Sequence, residues 1–408
     1  MPQLEGIRIE NYRALKSVRM GRTQTSRAAE PLTKMVALIG PNGAGKSSFL
    51  DALGFLGDCL AGNVEEACDR EHRGGFERMR TSGATGPVVL DLYYRESAGE
   101  KPISYELRID VDERGMPFVA YERLRQRNEN QKWGMPLSYL ELTKGKGFAW
   151  TGEKDKKTNK NQKEPVKLDD PRKLGIVSLG NLSQHPNIVR FRRFLEGWYL
   201  SYFEPSKART LPSAGAQKHL SRSGDNLANY LQYVERKLGN AEFNKLLAKV
   251  AQGIPGVNKI HSKESQDKRQ LIQFNELGYV DPFYQAAMSD GTLKYLAYLL
   301  LLEDPEPAPL IGIEEPENGL HHQLLAPLAE TMRKYANDSG PQVFVTTHSP
   351  YFVDALTPEQ VWTIDKAVSG ASELRCAAEE SVVVSMFKQG LPLGGLWFSG
   401  HFGHGNPL

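Results

Sequence analysis

Residues 35–48 read MVALIGPNGAGKSS, an apolar run that leads into a glycine-rich turn and a Lys-Ser-Ser sequence. The apolar part, Met35–Ile39, has the length and composition of one buried parallel strand. From Ser47 to Leu56 the apolar residues recur at helical spacing. The stretch therefore predicts a strand, a turn and a helix in that order, which is the context that a P-loop requires.

The glycines of this turn let backbone N–H groups point toward phosphates, which the positive end of a helix dipole also favours. We expect Lys46 to reach the β- and γ-phosphates of ATP, and the Ser47 hydroxyl to bind Mg²⁺. The alternative is a glycine-rich strand-to-helix turn that binds nothing. We assign nucleotide binding to the loop and the first helical turn: Gly40, Asn42, Gly43, Gly45, Lys46, Ser47 and Ser48.

A second apolar strand runs into an acidic turn at residues 311–321, IGIEEPENGLH. In P-loop ATPases the first carboxylate after such a strand helps to hold Mg²⁺, and a second can act as general base toward water. Here these residues are Glu314 and Glu315. A further apolar strand, Val343–Thr347, ends at His348, which we expect to contact the γ-phosphate and the attacking water. Taken alone, His348 is more typical of a capping or core histidine, but its position after a second apolar strand favours the functional role.

Residues 288–292, MSDGT, lie between these motifs and directly precede an apolar helix predicted over 293–302. Ser289 there is a typical N-cap. Because a helix N-terminus also favours phosphate, one segment can serve both as a cap and as a phosphate contact.

In combination the motifs resemble the ABC-type ATPase heads of the RecF/SMC/OLD group, in the subset described as AAA-family RecF-like ATPases. Residues 5–15 are similar to the opening strand and turn of that group, and the match covers roughly residues 1–60 and 180–366. Three further segments resemble its signature motif, its Walker B strand with the D-loop, and its switch histidine: 289–292, 314–321 and 346–350.

The resemblance implies an α/β P-loop fold with a mixed, largely parallel core sheet, and hydrolysis of ATP. It also implies a homodimer or higher homo-oligomer that holds two ATP molecules between subunits. Ser289 and the backbone of Gly291 would then meet the γ-phosphate that the opposite chain binds. The group more often has Asp where Glu314 stands, and we expect altered metal geometry without loss of activity.

Two polar residues outside these motifs are further candidates. Gln184, in Asn181–His185, is a candidate for a glutamine that senses Mg²⁺ and couples two lobes; an ordinary polar loop is the alternative. Arg13 follows the first predicted strand and is a candidate to approach the phosphates.

We predict an ATPase head over residues 1–366, with a nucleotide-binding core formed by 1–60 and 270–366. Three strand-like runs predict an antiparallel β-subdomain over 85–175: Val88–Arg95, Ile103–Asp112 and Phe118–Gln126. Within it, the Lys-rich insertion 143–170 is expected to be a long hairpin tip or a mobile segment.

Residues 180–255 predict a helical lobe, with helices over Asn187–Phe203, Asn226–Leu238 and Glu242–Gln252. No heptad pattern is sustained, which excludes a long coiled coil. Residues 367–408 form a Gly- and aromatic-rich C-terminal extension, which we expect either to pack on the head or to dock a partner.

The charge of the chain is balanced overall, with 51 Lys and Arg against 49 Asp and Glu, so net charge does not indicate nucleic acid. Two segments are locally basic. Ile7–Arg27 has six basic residues against Glu10, and Lys154–Lys167 has six lysines against two acids. Such segments can contact DNA phosphates, although a solvated loop is the alternative.

No apolar run approaches the length of a membrane span, and no signal peptide is evident. Cys59, Cys68 and Cys376 show neither metal-ligand spacing nor an even disulfide framework, which is typical of the reducing cytoplasm. Because only 60 residues (408 − 348) follow His348, we expect no fused TOPRIM nuclease and a separate effector protein.

The leading hypothesis is an ATP-hydrolysing dimeric switch that senses or clamps DNA and controls a separate effector, in anti-phage defence. An ATP-binding scaffold or DNA-repair module with little turnover is the alternative. The motor subunit of a membrane transporter is disfavoured by the long interval between Lys46 and Ser289.

Overall fold

The computed structural model describes residues 2–23, 28–70, 72–127, 136–154, 161–213, 215–368 and 370–407. The strands are β1 (Gln3–Tyr12), β2 (Leu15–Gly21), β3 (Met35–Ile39), β4 (Val88–Arg95), β5 (Ile103–Val111), β6 (Pro117–Gln126), β7 (Leu137–Thr143), β8 (Lys146–Lys154), β9 (Asn161–Lys167), β10 (Tyr199–Ser201), β11 (Val257–Glu264), β12 (Gln270–Glu276), β13 (Phe283–Tyr284), β14 (Leu310–Glu314), β15 (Gln342–Thr347), β16 (Val361–Lys366) and β17 (Ser372–Cys376).

Helices connect and cover these strands, together with a few short 3₁₀ turns. They are α1 (Lys46–Ala61), α2 (Val64–Asp69), α3 (Phe76–Met79), α4 (Gly175–Leu179), α5 (Pro186–Glu196), α6 (Pro205–Ala208), α7 (Leu227–Leu238), α8 (Asn240–Gln252), α9 (Asp290–Leu302), α10 (Leu325–Ser339), α11 (Pro350–Val353), α12 (Ser381–Lys388) and α13 (Leu393–Phe398).

The core sheet has six strands in the order β10-β14-β15-β3-β16-β17, and only the β16–β17 pair is antiparallel. All five residues of β3 are buried, as expected for a parallel strand covered on both faces. The register pairs Ile39 with Thr347 and Thr363, and Glu314 with Thr346. The P-loop and the predicted carboxylates therefore emerge at the same edge of the sheet.

Strand β3 separates two hydrophobic cores. Val36 and Leu38 belong to a core shared with α1 and the antiparallel sheet. Met35, Ala37 and Ile39 belong to a second core, which contains the apolar faces of α7, α8, α9 and α10. This alternation is the period of two that an extended strand imposes.

The second sheet is antiparallel and has eight strands in the order β2-β1-β4-β5-β6-β7-β8-β9. The three strand-like runs of the predicted β-subdomain correspond to β4, β5 and β6. The first two strands, expected within the nucleotide-binding core, instead pair with this sheet, where Arg8 stands beside Asp91. The predicted Lys-rich insertion forms the β8–β9 hairpin; its residues 155–160 lie outside the described residues, as do residues 24–27 of the first basic segment.

The region expected to form one helical lobe, 180–255, is divided between the two cores. Helix α5 packs Phe191 against Tyr94 and Tyr105 of the antiparallel sheet, with ring centroids 5.7 and 4.9 Å apart, whereas α7 and α8 line the other core. The helix predicted over Asn187–Phe203 is too long. It ends at Gly197, and Tyr199–Ser201 forms β10 because its backbone pairs with β14.

The C-terminal segment packs on the head. Strand β17 forms the edge of the core sheet, and Trp397 and Phe402 are buried in the second core. The Trp397 indole N–H donates to the carbonyl of Gly405 at 2.6 Å. Two alternatives were open for residues 367–408, and Trp397 and Phe402 pack on the head.

The helices among the described residues are short. The longest helix there is α1, with 16 residues, which is far shorter than a coiled-coil arm. No described helix has the length and apolar character needed to cross a membrane.

Candidate nucleotide site

The P-loop joins β3 to α1, and Lys46 is the first residue of the helix. Gly40, Gly43 and Gly45 have φ values of 151°, 73° and 119°, a conformation that favours glycine. A Cβ atom at Gly40 would lie 2.0 Å from the carbonyl oxygen of Ile364, so the close approach of β16 also requires glycine. A glycine turn at a helix N-terminus fits the phosphates of a nucleotide.

The side chain of Lys46 is almost enclosed, with 4% of the residue exposed. Its Nζ donates to the carbonyl oxygens of Gly40 and Pro41 at 2.8 and 3.0 Å. Burial lowers the pKa of Lys46 to about 8, while the nearby carboxylates, foremost Glu315 and Glu317, act in the opposite direction. A bound phosphate would supply the negative charge that stabilises the ammonium form.

Glu314 ends β14, and its carboxyl lies near enough to the Ser47 hydroxyl at the start of α1 for that hydroxyl to affect its pKa. Burial raises the pKa of the Glu314 carboxyl, and Glu315 adds to the effect, whereas Ser47 opposes it. One hydroxyl and one carboxylate are the protein ligands that Mg²⁺ commonly takes beside nucleotide oxygens. The residues present therefore fit the metal.

Glu315 is fixed on three sides. Its Oε1 lies 3.0 Å from Nε2 of His348, and its Oε2 accepts a 2.8 Å hydrogen bond from Asn318. Its backbone has a φ of 41° and its N–H donates to the Thr346 carbonyl at 2.9 Å. A left-handed conformation outside glycine is strained and is retained where the surroundings enforce it.

A third carboxylate, Glu317, anchors the end of β15. Its Oε1 accepts a 2.9 Å hydrogen bond from the Thr347 hydroxyl and a second from the backbone N–H of His348. The predicted Walker B turn and the predicted switch histidine are thus joined by two contacts, through Glu315 and through Glu317.

Ser289 and Gly291 lie at the start of α9. The Ser289 hydroxyl accepts a hydrogen bond from the Thr292 N–H at 3.1 Å, so the N-cap alternative describes the chain as it stands. Both residues line a cleft of about 430 Å³ whose other walls include Pro255, Gly319 and His321. No P-loop residue lines this cleft.

Residues 35–354 match the family described as "AAA domain, putative AbiEii toxin, Type IV TA system". The chain belongs to this family. No curated protein matches the sequence.

The fold of this AAA-domain protein is similar to solved Smc heads. One is the Smc head bound to the C-terminal winged-helix domain of ScpA, 13% identical, with 91% of this chain and 97% of that chain covered and a TM-score of 0.53. Another is the Pyrococcus furiosus Smc head with an extended coiled coil, bound to the C-terminal domain of ScpA. It is 13% identical, with 95% and 100% covered and a TM-score of 0.53. The predicted RecF/SMC-like ATPase head is confirmed, and the protein is an ATPase.

The AAA-domain protein contains a buried lysine beside the turn of Glu315 that the sequence motifs did not indicate. Lys294, in the second turn of α9, is buried, and its Nζ donates to the carbonyls of Glu315 and Asn318, each at 3.0 Å. Burial lowers the pKa of Lys294, and Glu317 opposes this most strongly. A lysine inside the apolar run LKYLAYLLLL was the available signal, because a buried lysine needs partners.

Ser372 is the second residue that sequence analysis missed. It belongs to β17, and its buried hydroxyl lies 2.6 Å from the carbonyl oxygen of Ala44 in the P-loop and 3.0 Å from that of Ala14. The C-terminal extension thereby supports the P-loop directly. Its partners are more than 300 residues away in sequence, so no local pattern indicates the contact.

The two further candidates lie in different places. Arg13 follows β1, and its guanidinium lies 3.3 Å from Asp51 of α1, the helix that begins at Lys46 of the P-loop. Gln184 does not join the site. Its Nε2 donates to Glu164 of β9 at 3.0 Å. Strand β9 is at one edge of the antiparallel sheet, and β2 is at the other. The P-loop lies beside β2, because Leu15 of that strand adjoins Gly45. The expectation that Gln184 senses the metal is therefore wrong, since its polar loop contacts the β8–β9 hairpin.

No cluster of three or more His, Cys, Asp or Glu suited to a metal occurs among the described residues. Metal binding at Ser47 and Glu314 would therefore depend on oxygens supplied by the nucleotide, as is usual for Mg²⁺.

Proposed function

We propose that this ATPase is a dimeric molecular switch that couples ATP hydrolysis to the control of a separate effector protein. The observation that carries the proposal is the separation of two half-sites. The P-loop, Glu314 and Glu315 form one half, while Ser289 and Gly291 line a cleft without any P-loop residue. Two copies facing one another would complete two nucleotide sites.

In each site the protein groups have distinct tasks. Lys46 and the loop amides hold the triphosphate, and Ser47 with Glu314 holds Mg²⁺, which neutralises phosphate charge when bound. Glu315 accepts the proton of the attacking water as general base. Asn318 and His348 keep its carboxylate oriented, with the 2.8 and 3.0 Å contacts described above.

Closure of the dimer would shift the turn that carries Glu315. Lys294 connects the helix of the Ser289 half-site to the backbone of Glu315 and Asn318. A ligand that meets the N-terminus of α9 can therefore shift the general base of the same chain. ATP binding favours the closed pair and hydrolysis reopens it, which is a population shift driven by differential affinity.

DNA is the proposed trigger, and anti-phage defence is the proposed setting. The family description, with its putative toxin and toxin–antitoxin system, supports defence. The basic segments of the sequence support a nucleic-acid phosphate partner.

The proposal is tested by measuring ATP turnover of the purified chain with and without duplex DNA, alongside Lys46→Ala and Glu315→Gln. We expect DNA-stimulated turnover that both substitutions abolish, and an ATP-dependent dimer that Glu315→Gln traps in sedimentation. Turnover that is indifferent to DNA would reject DNA as the trigger. A Glu315→Gln protein that remains monomeric with ATP would reject the dimeric switch.

A further inference from the structure

The outer face of the antiparallel sheet carries many charged side chains, which lie opposite one another on neighbouring strands. Toward β1 several of these charges form ion pairs between neighbouring strands. Arg8 lies 2.7 Å from Asp91, and Arg123 lies 3.0 Å from Glu106. Opposite charges directly across strands stabilise a sheet. Two exposed arginines of this half, Arg19 opposite Arg8 and Arg108 over the Tyr121 ring, have no ion pair among the described residues.

The pairing stops at the β8–β9 hairpin. Lys146 and Lys167 are directly opposite one another and both are exposed. Lys163 is also exposed, and its Nζ lies 3.8 Å from the centre of the Phe148 ring. Lys144, in the turn before β8, lies over the Phe118 ring at 5.5 Å. Among the side chains that the structure describes, no carboxylate forms an ion pair with any of these four lysines, the lysine strip.

Two carboxylates of the neighbouring strand positions are engaged elsewhere. Glu164 of β9 pairs in register with buried Ala149, so it points to the inner face, where it contacts Gln184 and His185 at 3.0 Å. Glu141, the cross-strand neighbour of Phe148, lies 3.8 Å from Arg123. The strip therefore carries uncompensated positive charge, and its opposed lysines reduce the stability of the hairpin.

We infer that the lysine strip is a docking surface for the phosphate backbone of duplex DNA. The strip extends from the Lys146–Lys167 pair to Lys163, four residues along β9, which is about 13 Å at the usual rise of a strand. A duplex carries one phosphate per strand every ~3.4 Å of its axis, so several phosphates lie within reach of these side chains. Contacts of this kind position the duplex without reading its sequence.

A lipid surface is the less suitable partner. The rings within the strip, Phe148 and Trp150, are only partly exposed, and Phe148 is covered by Lys163. The face therefore lacks an apolar side chain that could insert into a bilayer.

This inference rests on the proposed response to DNA, and it is tested by binding rather than by turnover. The affinity of the full chain for a labelled duplex is measured by fluorescence anisotropy between about 50 and 200 mM salt. The strip variant carries Lys146→Gln, Lys163→Gln and Lys167→Gln. A matched control carries Lys245→Gln, Lys249→Gln and Lys268→Gln, which remove the same charge from exposed lysines that pair with Glu242, Glu303 and Glu264.

We expect the strip variant to reduce the slope of log affinity against log salt by about three, since each phosphate that the protein no longer neutralises lowers the slope by roughly one. The wild type would then lose roughly 40-fold more affinity than the variant over that salt range. The control variant should retain the wild-type slope. All three proteins should show the same basal ATP turnover, because no substitution touches the nucleotide site.

The alternative outcomes separate the two proposals. If wild type binds duplex DNA and the strip variant binds equally well, the docking surface is wrong while the response to DNA stands. If wild type fails to bind DNA even at low salt, both are wrong. Binding of anionic vesicles in preference to duplex, abolished in the strip variant, would assign the strip to a membrane and overturn the inference.

Discussion

The ammonium of Lys294 reaches from helix α9 to the carbonyl oxygen of Glu315, 3.0 Å away. It makes an equal contact with the carbonyl of Asn318, so one buried cation closes the turn that carries Glu315, the proposed general base. Lys294 thereby joins the helix of one half-site to the catalytic turn of the other.

We predict that Lys294→Met lowers kcat by about tenfold to a hundredfold, which corresponds to roughly 1.4–2.7 kcal/mol of lost positioning. The KM for ATP should change little, because the P-loop is untouched. Steady-state kinetics separate the two constants, and Lys245→Met on the exposed face of α8 provides the control. A lower melting temperature with unchanged kcat would assign Lys294 a purely structural role.

The depressed pKa of Lys46 predicts a pH dependence of nucleotide binding. Burial lowers this pKa from 10.5 to about 8, so above pH 8 the free protein must take up a proton to present an ammonium to phosphate. The affinity for ATP should fall with rising pH, by up to about tenfold per unit. Titrations between pH 7 and 10 measure this, and Lys46→Arg should give a flatter profile. A flat wild-type profile would contradict the buried-lysine account.

The same shift has a consequence for stability. Between pH 8 and 10.5 the unfolded chain binds a proton at Lys46 that the folded chain has lost. The contribution of this residue to the free energy of unfolding therefore rises with pH across the window.

Glu314 in place of the more usual aspartate predicts a specific metal response. Because the Glu314 carboxyl lies near the Ser47 hydroxyl, Glu314→Asp should withdraw the carboxylate from that hydroxyl. We expect hydrolysis to persist within about tenfold, while the Mg²⁺ concentration that gives half-maximal turnover rises. Glu314→Gln should abolish the metal response. An unchanged Mg²⁺ titration for Glu314→Asp would show that Glu314 does not bind the metal.

Ser372 predicts a separable effect on nucleotide affinity. Ser372→Ala removes the donor to the carbonyl of Ala44 and loosens the loop, which should raise the KM for ATP roughly fivefold, from about 1 kcal/mol of hydrogen bonding. The effect on kcat should be smaller. Thr363→Val is the matched control, since it deletes a buried hydroxyl of the same sheet that lies 3.0 Å from Nδ1 of His404 and 3.3 Å from the Arg375 carbonyl. Equal KM changes in both variants would reject a specific role for Ser372.

The parts of the candidate site that are contiguous along the chain can be predicted from the sequence. The P-loop and the strands before Glu315 and His348 each carry their own signal, because composition and periodicity act locally. Lys294, Ser372 and the short strand Tyr199–Ser201 depend on partners from distant segments, and no local pattern encodes such pairing. The loop of Gln184 carries no local signal of its own, and its contact with the β8–β9 hairpin determines where it lies.

Strand β3 is the common wall of two cores, and this bears on how the chain opens. Freeing its amides requires the sheet neighbours β15 and β16 to separate and both apolar clusters to lose a face. The slowest hydrogen–deuterium exchange should therefore fall on Val36–Leu38, immediately before the nucleotide loop. The most persistent segment of the fold thus adjoins the loop that must accept and release a ligand in every cycle.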